Sequence, residues 1–164
     1  MLSVLGQYRE ATFYLLALEE LGEFTARPAG VRFFRLVCFF DREAMADVTA
    51  LRDFVECALQ AGARSVICGG TACELVHDAF DDICVMHEVL DKPFYDADRG
   101  ESIPTTWHND ESIAEVLWYA RAVGSGHHAF ETERVAIVVA LLADDPRVAE
   151  ITRIGARLDQ LFQE

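Results

Sequence analysis

Lysine is nearly missing from the chain: Lys92 stands alone among 164 residues, against thirteen arginines. No G-x-x-x-x-G-K-[ST] segment exists, which excludes a phosphate-binding P-loop. The preference for Arg over Lys fits a GC-rich bacterial genome. Positive charge is scarce as a whole, with 14 Lys+Arg against 28 Asp+Glu and a formal net charge of -14. Such a surface repels phosphate backbones, so direct nucleic-acid binding is not expected. The five cysteines, Cys38, Cys57, Cys68, Cys73 and Cys84, form no C-x-x-C pair and are odd in number. That pattern fits reduced thiols in the cytoplasm better than a disulfide framework or a zinc ribbon. No apolar run reaches the 18 or so residues of a membrane span, and Arg9 and Glu10 come too early for a signal peptide. The expectation is a cytoplasmic protein with no membrane contact and no resident cofactor or metal.

What is present is apolar. Hydrophobic residues make up 52% of the chain and charged residues 26%, which excludes a disordered protein and suits one globular domain over residues 1–164. Residues 31–40 (VRFFRLVCFF) read as a buried strand. Over 42–61, Ala44, Val48, Leu51, Val55 and Ala58 recur at helical spacing, with Gly62 placed for a C-terminal cap. The unit then repeats. Residues 64–68 predict a short strand and Gly69-Gly70 a turn, and Ala72, Leu75, Val76, Ala79 and Phe80 predict a helix, with a third short strand over 83–87.

Residues 90–102 hold Pro93, Gly100 and several acids without a period and read as a surface loop. Residues 103–107 predict a strand and 109–123 a helix. Residues 134–143 (RVAIVVALLA) suit a strand covered on both faces, as in a parallel sheet, and 146–162 predict a last helix. Residues 10–21 fit a strand slightly better than a helix. The alternation implies an α/β fold: an open, doubly wound, mostly parallel sheet of about five strands flanked by helices, a flavodoxin- or Rossmann-like three-layer arrangement.

In such a sheet the loops at the carboxyl ends of the strands converge, so a site would draw on Asp41, on Gly69, Gly70 and Thr71, on residues 105–110 and on Asp144. Capping accounts for the same residues: Asp41 precedes a helix, Thr71 and Glu74 form a T-x-x-E capping box, Asn109 or Asp110 opens the next helix, and Asp145 precedes Pro146. Glu74, His77, Asp78 and Asp81 share one helix stripe. It reads as a solvated face, or as oxygen and imidazole ligands completed by His108 or Asp110. Trp107 and His108 at a strand end suit either a sheet edge or a pocket wall. Gly124-Ser125-Gly126-His127-His128 lacks the G-x-G-x-x-G spacing and follows a helix, against dinucleotide binding.

Residues 66–72 (VICGGTA) place Cys68 at the end of a strand, ahead of two glycines and a helix. The segment resembles the nucleophile elbow of the DJ-1/PfpI superfamily. That resemblance implies a reactive Cys68, with the amide ends of the following helix stabilising its thiolate, and an acidic partner that only Asp41 could supply. Read from its apolar surroundings, Cys68 is a buried core thiol. The phosphatase pattern C-x5-R is absent, since Glu74 stands at its sixth position.

Two functions follow. The first is a non-catalytic accessory or regulatory protein that associates with another protein, its partner surface basic, or with itself. The acidic loop 91–101 is the expected contact. The alternative is a small-molecule enzyme or ligand-binding domain whose strand-end crevice uses Cys68 and His108 for catalysis and Asp41, Gly69, Gly70, Thr71, Glu74, His77 and Asp110 for binding.

Overall fold

The computed structural model describes residues 1–22, 24, 27–45, 47–90, 94, 102–122 and 135–162. Its elements are β1 (Leu2–Tyr8), β2 (Ala11–Leu18), β3 (Phe34–Phe39), α1 (Val48–Ala61), β4 (Ala63–Gly69), α2 (Cys73–Val89), β5 (Thr105–His108), α3 (Ile113–Ala122), β6 (Val135–Leu142), α4 (Arg147–Gly155) and α5 (Leu158–Leu161). The six strands form one sheet in the order β1-β2-β6-β3-β4-β5. All neighbours run parallel except the β1–β2 hairpin. The three most fully buried strands, β6, β3 and β4, stand side by side at its centre, covered on both faces.

Strand alternation splits the core in two. On one face Leu36, Cys38, Val66 and Cys68 pack against Leu51, Phe54 and Val55 of α1 and Val76, Phe80 and Ile83 of α2. On the other, Val37, Phe39, Ile67 and Val139 pack against Val116 and Leu117 of α3, Ile151 of α4 and Leu158 of α5. Helices on both faces of a mostly parallel sheet make this a three-layer α/β fold.

Several expected boundaries move for local reasons. The strand expected over 83–87 is the second half of α2. Ile83 continues the buried series Val76, Phe80, Ile83 at helical spacing while Val85 points to solvent, and no breaker separates them. The helix expected from residue 42 starts with a 3-10 turn, Arg42–Met45, and α1 begins where Asp47 accepts hydrogen bonds from the amides of Thr49 and Ala50. It ends at Gly62, left-handed as expected. α3 is opened by a Ser112–Glu115 capping box, the Glu115 carboxylate accepting from the Ser112 amide and the Ser112 hydroxyl accepting from the Glu115 amide. Neither Asn109 nor Asp110 serves there. Thr71 and Glu74 form no capping box on α2, because the Thr71 hydroxyl is committed to Asp41. The last helix breaks at Ala156 and Arg157 into α4 and α5. Residues 10–21 do hold a strand, β2, and β1 before it raises the sheet from five strands to six.

Candidate functional site

β3 and β6 are neighbours, yet β3 leads to α1 on one face and β6 to α4 on the other. Their carboxyl ends form the topological switch point where ligands of open α/β sheets bind. The residues after both strands meet there. Asp41 accepts hydrogen bonds from the Thr71 amide at 3.1 Å and the Thr71 hydroxyl at 3.0 Å through Oδ1, and from Arg147 Nη2 at 2.9 Å through Oδ2. Arg147 also donates to Asp145 from Nε at 2.8 Å and Nη2 at 2.5 Å, while its backbone amide donates to the same carboxylate at 2.8 Å. Arg42 closes the ring, its amide and Nε donating to the hydroxyl and carbonyl oxygens of Thr71.

Two glycines let the strand ends approach so closely. A Cβ on Gly69 would lie 2.6 Å from the Phe39 ring, and one on Gly70 2.5 Å from the Phe40 carbonyl and 2.7 Å from Arg147 Nη1. Gly70 also has a φ of +85°, where other L-residues are strained. The guanidinium of Arg147 lies 5.9 Å from the Phe39 ring centroid. Burial pushes the Asp145 carboxyl up, but hydrogen bonds from the Arg147 side chain and backbone outweigh it and hold the pKa below the usual value. The bond to Asp145 in turn raises Arg147. The cluster therefore pairs the Arg147 guanidinium with two carboxylates and locks three strand ends together.

Gly69, Gly70 and Thr71 at the β4 end join Asp41 in this cluster, but the other expected residues do not converge on it. Cys68 is fully buried on the α1–α2 face, where burial and then the neighbouring Cys38 push its thiol well above the ordinary value. His108 pairs in register with Gly69, not Cys68, and its ring lies on the other face, edge-on to Tyr119 of α3 with centroids 4.5 Å apart. There its Nδ1 meets Glu111 Oε2 at 2.9 Å and its Nε2 meets Thr106 Oγ1 at 3.3 Å. The sheet thus stands between the proposed nucleophile and its base. His77 faces Trp107, whose ring it meets at 4.5 Å, and approaches Asp78 and Asp81. Glu74 is exposed on α2, and Asp110 is exposed in the turn after β5 with a φ of 60°. Among the described residues no group of His, Cys, Asp or Glu side chains is placed to hold a metal ion. The Gly124–His128 motif and most of the 91–101 loop lie outside the described residues.

Two features escape a reading of the sequence. Arg35, buried in β3, donates from Nη1 to the carbonyls of Ala120 at 2.6 Å and Arg121 at 3.2 Å, at the C-terminus of α3. An Arg inside an apolar run carries that signal. The second is a groove of about 420 Å³ between α1 and α2, floored by Leu51, Ala79 and Ile83 and walled by Val48, Leu75 and Met86. Val48 and Leu75 are largely exposed, as are Val85 and Val89 further along α2 and Leu90 just after it. Arg52, Asp78 and Asp82 form its rim. Over their whole lengths α1 carries Asp53 and Glu56 beside Arg52, and α2 carries Glu74, Asp78, Asp81, Asp82 and Glu88 with no Lys or Arg, although Asp81 accepts from Thr105 of β5 rather than facing the groove.

The family described as Domain of unknown function (DUF7684) matches residues 14–157, from within β2 to the break between α4 and α5. This chain belongs to the DUF7684 family. The matched span takes in Asp41, Thr71, Asp145 and Arg147 and both walls of the groove, while β1 lies outside it. No curated protein matches the chain. No helix among the described residues is long and apolar enough to cross a membrane.

Proposed function

We propose that this DUF7684 protein acts by protein–protein association, without catalysis, and that the α1–α2 groove receives a basic amphipathic helix of its partner. The observation that carries this reading is an open apolar groove, rimmed by Arg52, Asp78 and Asp82, between two helices of net negative charge. Apolar side chains exposed along one groove mark recognition surfaces, and helices dock in such grooves through residues at i, i+3, i+4 and i+7. Seven carboxylates against one arginine on the two helices favour a partner with Lys or Arg flanking its apolar stripe. The locked charges at the switch point and the separation of Cys68 from His108 weigh against a crevice enzyme. Five free cysteines suit a reducing, cytoplasmic setting.

A fluorescently labelled synthetic Leu/Lys amphipathic helix tests the reading. It should bind the full chain, bind less as salt rises, and lose about tenfold or more in affinity when Leu75 and Met86 are both changed to Asp, equivalent to about 1.4 kcal/mol or more. A Leu/Glu helix of the same pattern should not bind. Equal binding of both helices, or binding indifferent to Leu75→Asp and Met86→Asp in a variant with unchanged melting, overturns the reading.

A further inference from the structure

The sheet has two ends, and they are built differently. β5 is four residues long, is followed after Asn109 by Asp110 and Glu111, and has Thr105 tied to Asp81. β1 is seven residues long and reads LSVLGQY, with no charged residue and no proline, in a chain where one residue in four is charged. Among the described residues no strand pairs with its outer edge. Edge strands are ordinarily protected by short length, charge, proline or a bulge, and of these β1 has only a register shift after Val4.

The hydrogen-bond pattern shows which groups are on offer. Met1 and Ala17 exchange both backbone bonds, so they form a hydrogen-bonded pair of the antiparallel ladder. By alternation Leu2 and Val4, opposite Leu16 and Tyr14, turn their N–H and C=O groups away from β2. Val4 is 67% exposed. A register shift between Val4 and Gly6 interrupts the regular edge there, leaving the stretch before it as the pairing segment.

We propose that the outer edge of β1 pairs with β1 of a second copy, antiparallel about a two-fold axis, joining two six-stranded sheets into one. Antiparallel self-complementarity selects a second copy, and charge selects where the copies meet. Two copies each carrying -14 repel over most of their surface, and a strand edge free of acid is where they can approach. Antiparallel pairing of identical strands is self-complementary, as a closed two-fold dimer requires. The segment is short, so the dimer is weak and its population depends on concentration. This inference is independent of the α1–α2 groove.

Sedimentation equilibrium of the full chain over the micromolar range tests it. The expected result is a monomer–dimer equilibrium between 18.3 kDa and twice that mass. Val4→Pro, which removes an N–H that β2 does not use, and Val4→Lys, which adds an edge charge, should each weaken the dimer by about tenfold or more. Far-UV circular dichroism checks that both variants fold, and Val4→Lys serves if the proline disturbs the hairpin. Leu75→Asp should leave the dimer intact, which separates this test from that of the groove. A wild-type protein that stays monomeric throughout, or a folded Val4→Lys variant that dimerises unchanged, overturns the proposal.

Discussion

Arg147 reaches Asp41 across 2.9 Å, and through that contact the start of α4 is fastened to the end of β3, although the two residues lie 106 positions apart. The same guanidinium is held by Asp145, two residues before it and only 10% exposed. Asp145 thus performs two tasks, accepting the Arg147 amide in the first turn of the helix and neutralising its side chain. Asp41, nearly half exposed, contributes more through its bonds to Thr71 than through its charge.

The acid sensitivity of the fold should trace in part to Asp145. Its carboxyl lies below its ordinary value of 3.8 in the folded protein, with burial opposing the shift and the Arg147 hydrogen bonds producing it. A depressed folded-state pKa means that the stability it supplies is fully present above 3.8 and is lost as pH falls through the lower folded-state value. Asp145→Asn should therefore lower the melting temperature at neutral pH and flatten its fall under acid. Melting curves from neutral to strongly acid pH check this, and parallel acid limbs for the two proteins would exclude it.

Gly70→Ala should destabilise the protein by about 2 kcal/mol or more, because the new Cβ meets the Phe40 carbonyl and the Arg147 guanidinium in a left-handed backbone. Urea titration measures the loss. If steric displacement of Arg147 is the cause, Gly70→Ala combined with Arg147→Ala should cost less than the sum of the two single changes.

The thiols should react in an order set by burial. Cys38, Cys68 and Cys73 are buried, and burial raises the Cys38 and Cys68 thiols well above their ordinary value. Cys84 is half-buried and pushed up to about 11, first by burial and then by Asp81. A disulfide reagent at neutral pH should therefore label Cys57 first and Cys84 slowly, with the other three labelled only after denaturation. Mass mapping of the adducts checks the order. Fast native labelling of Cys68 would restore the nucleophile reading.

The centre of the sheet is legible because β3, β4 and β6 are apolar on both faces, a pattern that needs covering helices whatever else the chain does. Residues 83–87 mislead because IleCysValMetHis is equally apolar as strand or helix, and the phase that decides it is set by Phe80 outside the segment. β1 hides for the opposite reason: it is partly exposed and has a register shift, so neither alternation nor a buried run marks it. At the site, Asp41, Gly70 and Thr71 are found from their place at strand ends. Arg147 is not, since the contact that gives it meaning spans most of the chain. Cys68 and His108 are assigned to the right strand ends, but their opposite faces depend on register, and a shift of one residue reverses that.

Arg35 offers the sharpest test of a contact that composition conceals. Burial lowers its pKa to about 10, so it stays charged at neutral pH, and it donates to carbonyls at the last turn of α3. A cation there also opposes the partial negative charge of the helix end. Arg35→Met keeps much of the apolar stem and removes the donors, which should cost about 1–3 kcal/mol by leaving buried carbonyls unsatisfied. The loss should be local: hydrogen exchange should rise in α3 before it rises in α1, which packs on the other face of the sheet. Arg35→Lys should recover part of the stability but not all, because an ammonium lacks the planar fork of the guanidinium. Uniform loss of protection across both faces would mean that Arg35 supports the sheet as a whole rather than the end of one helix.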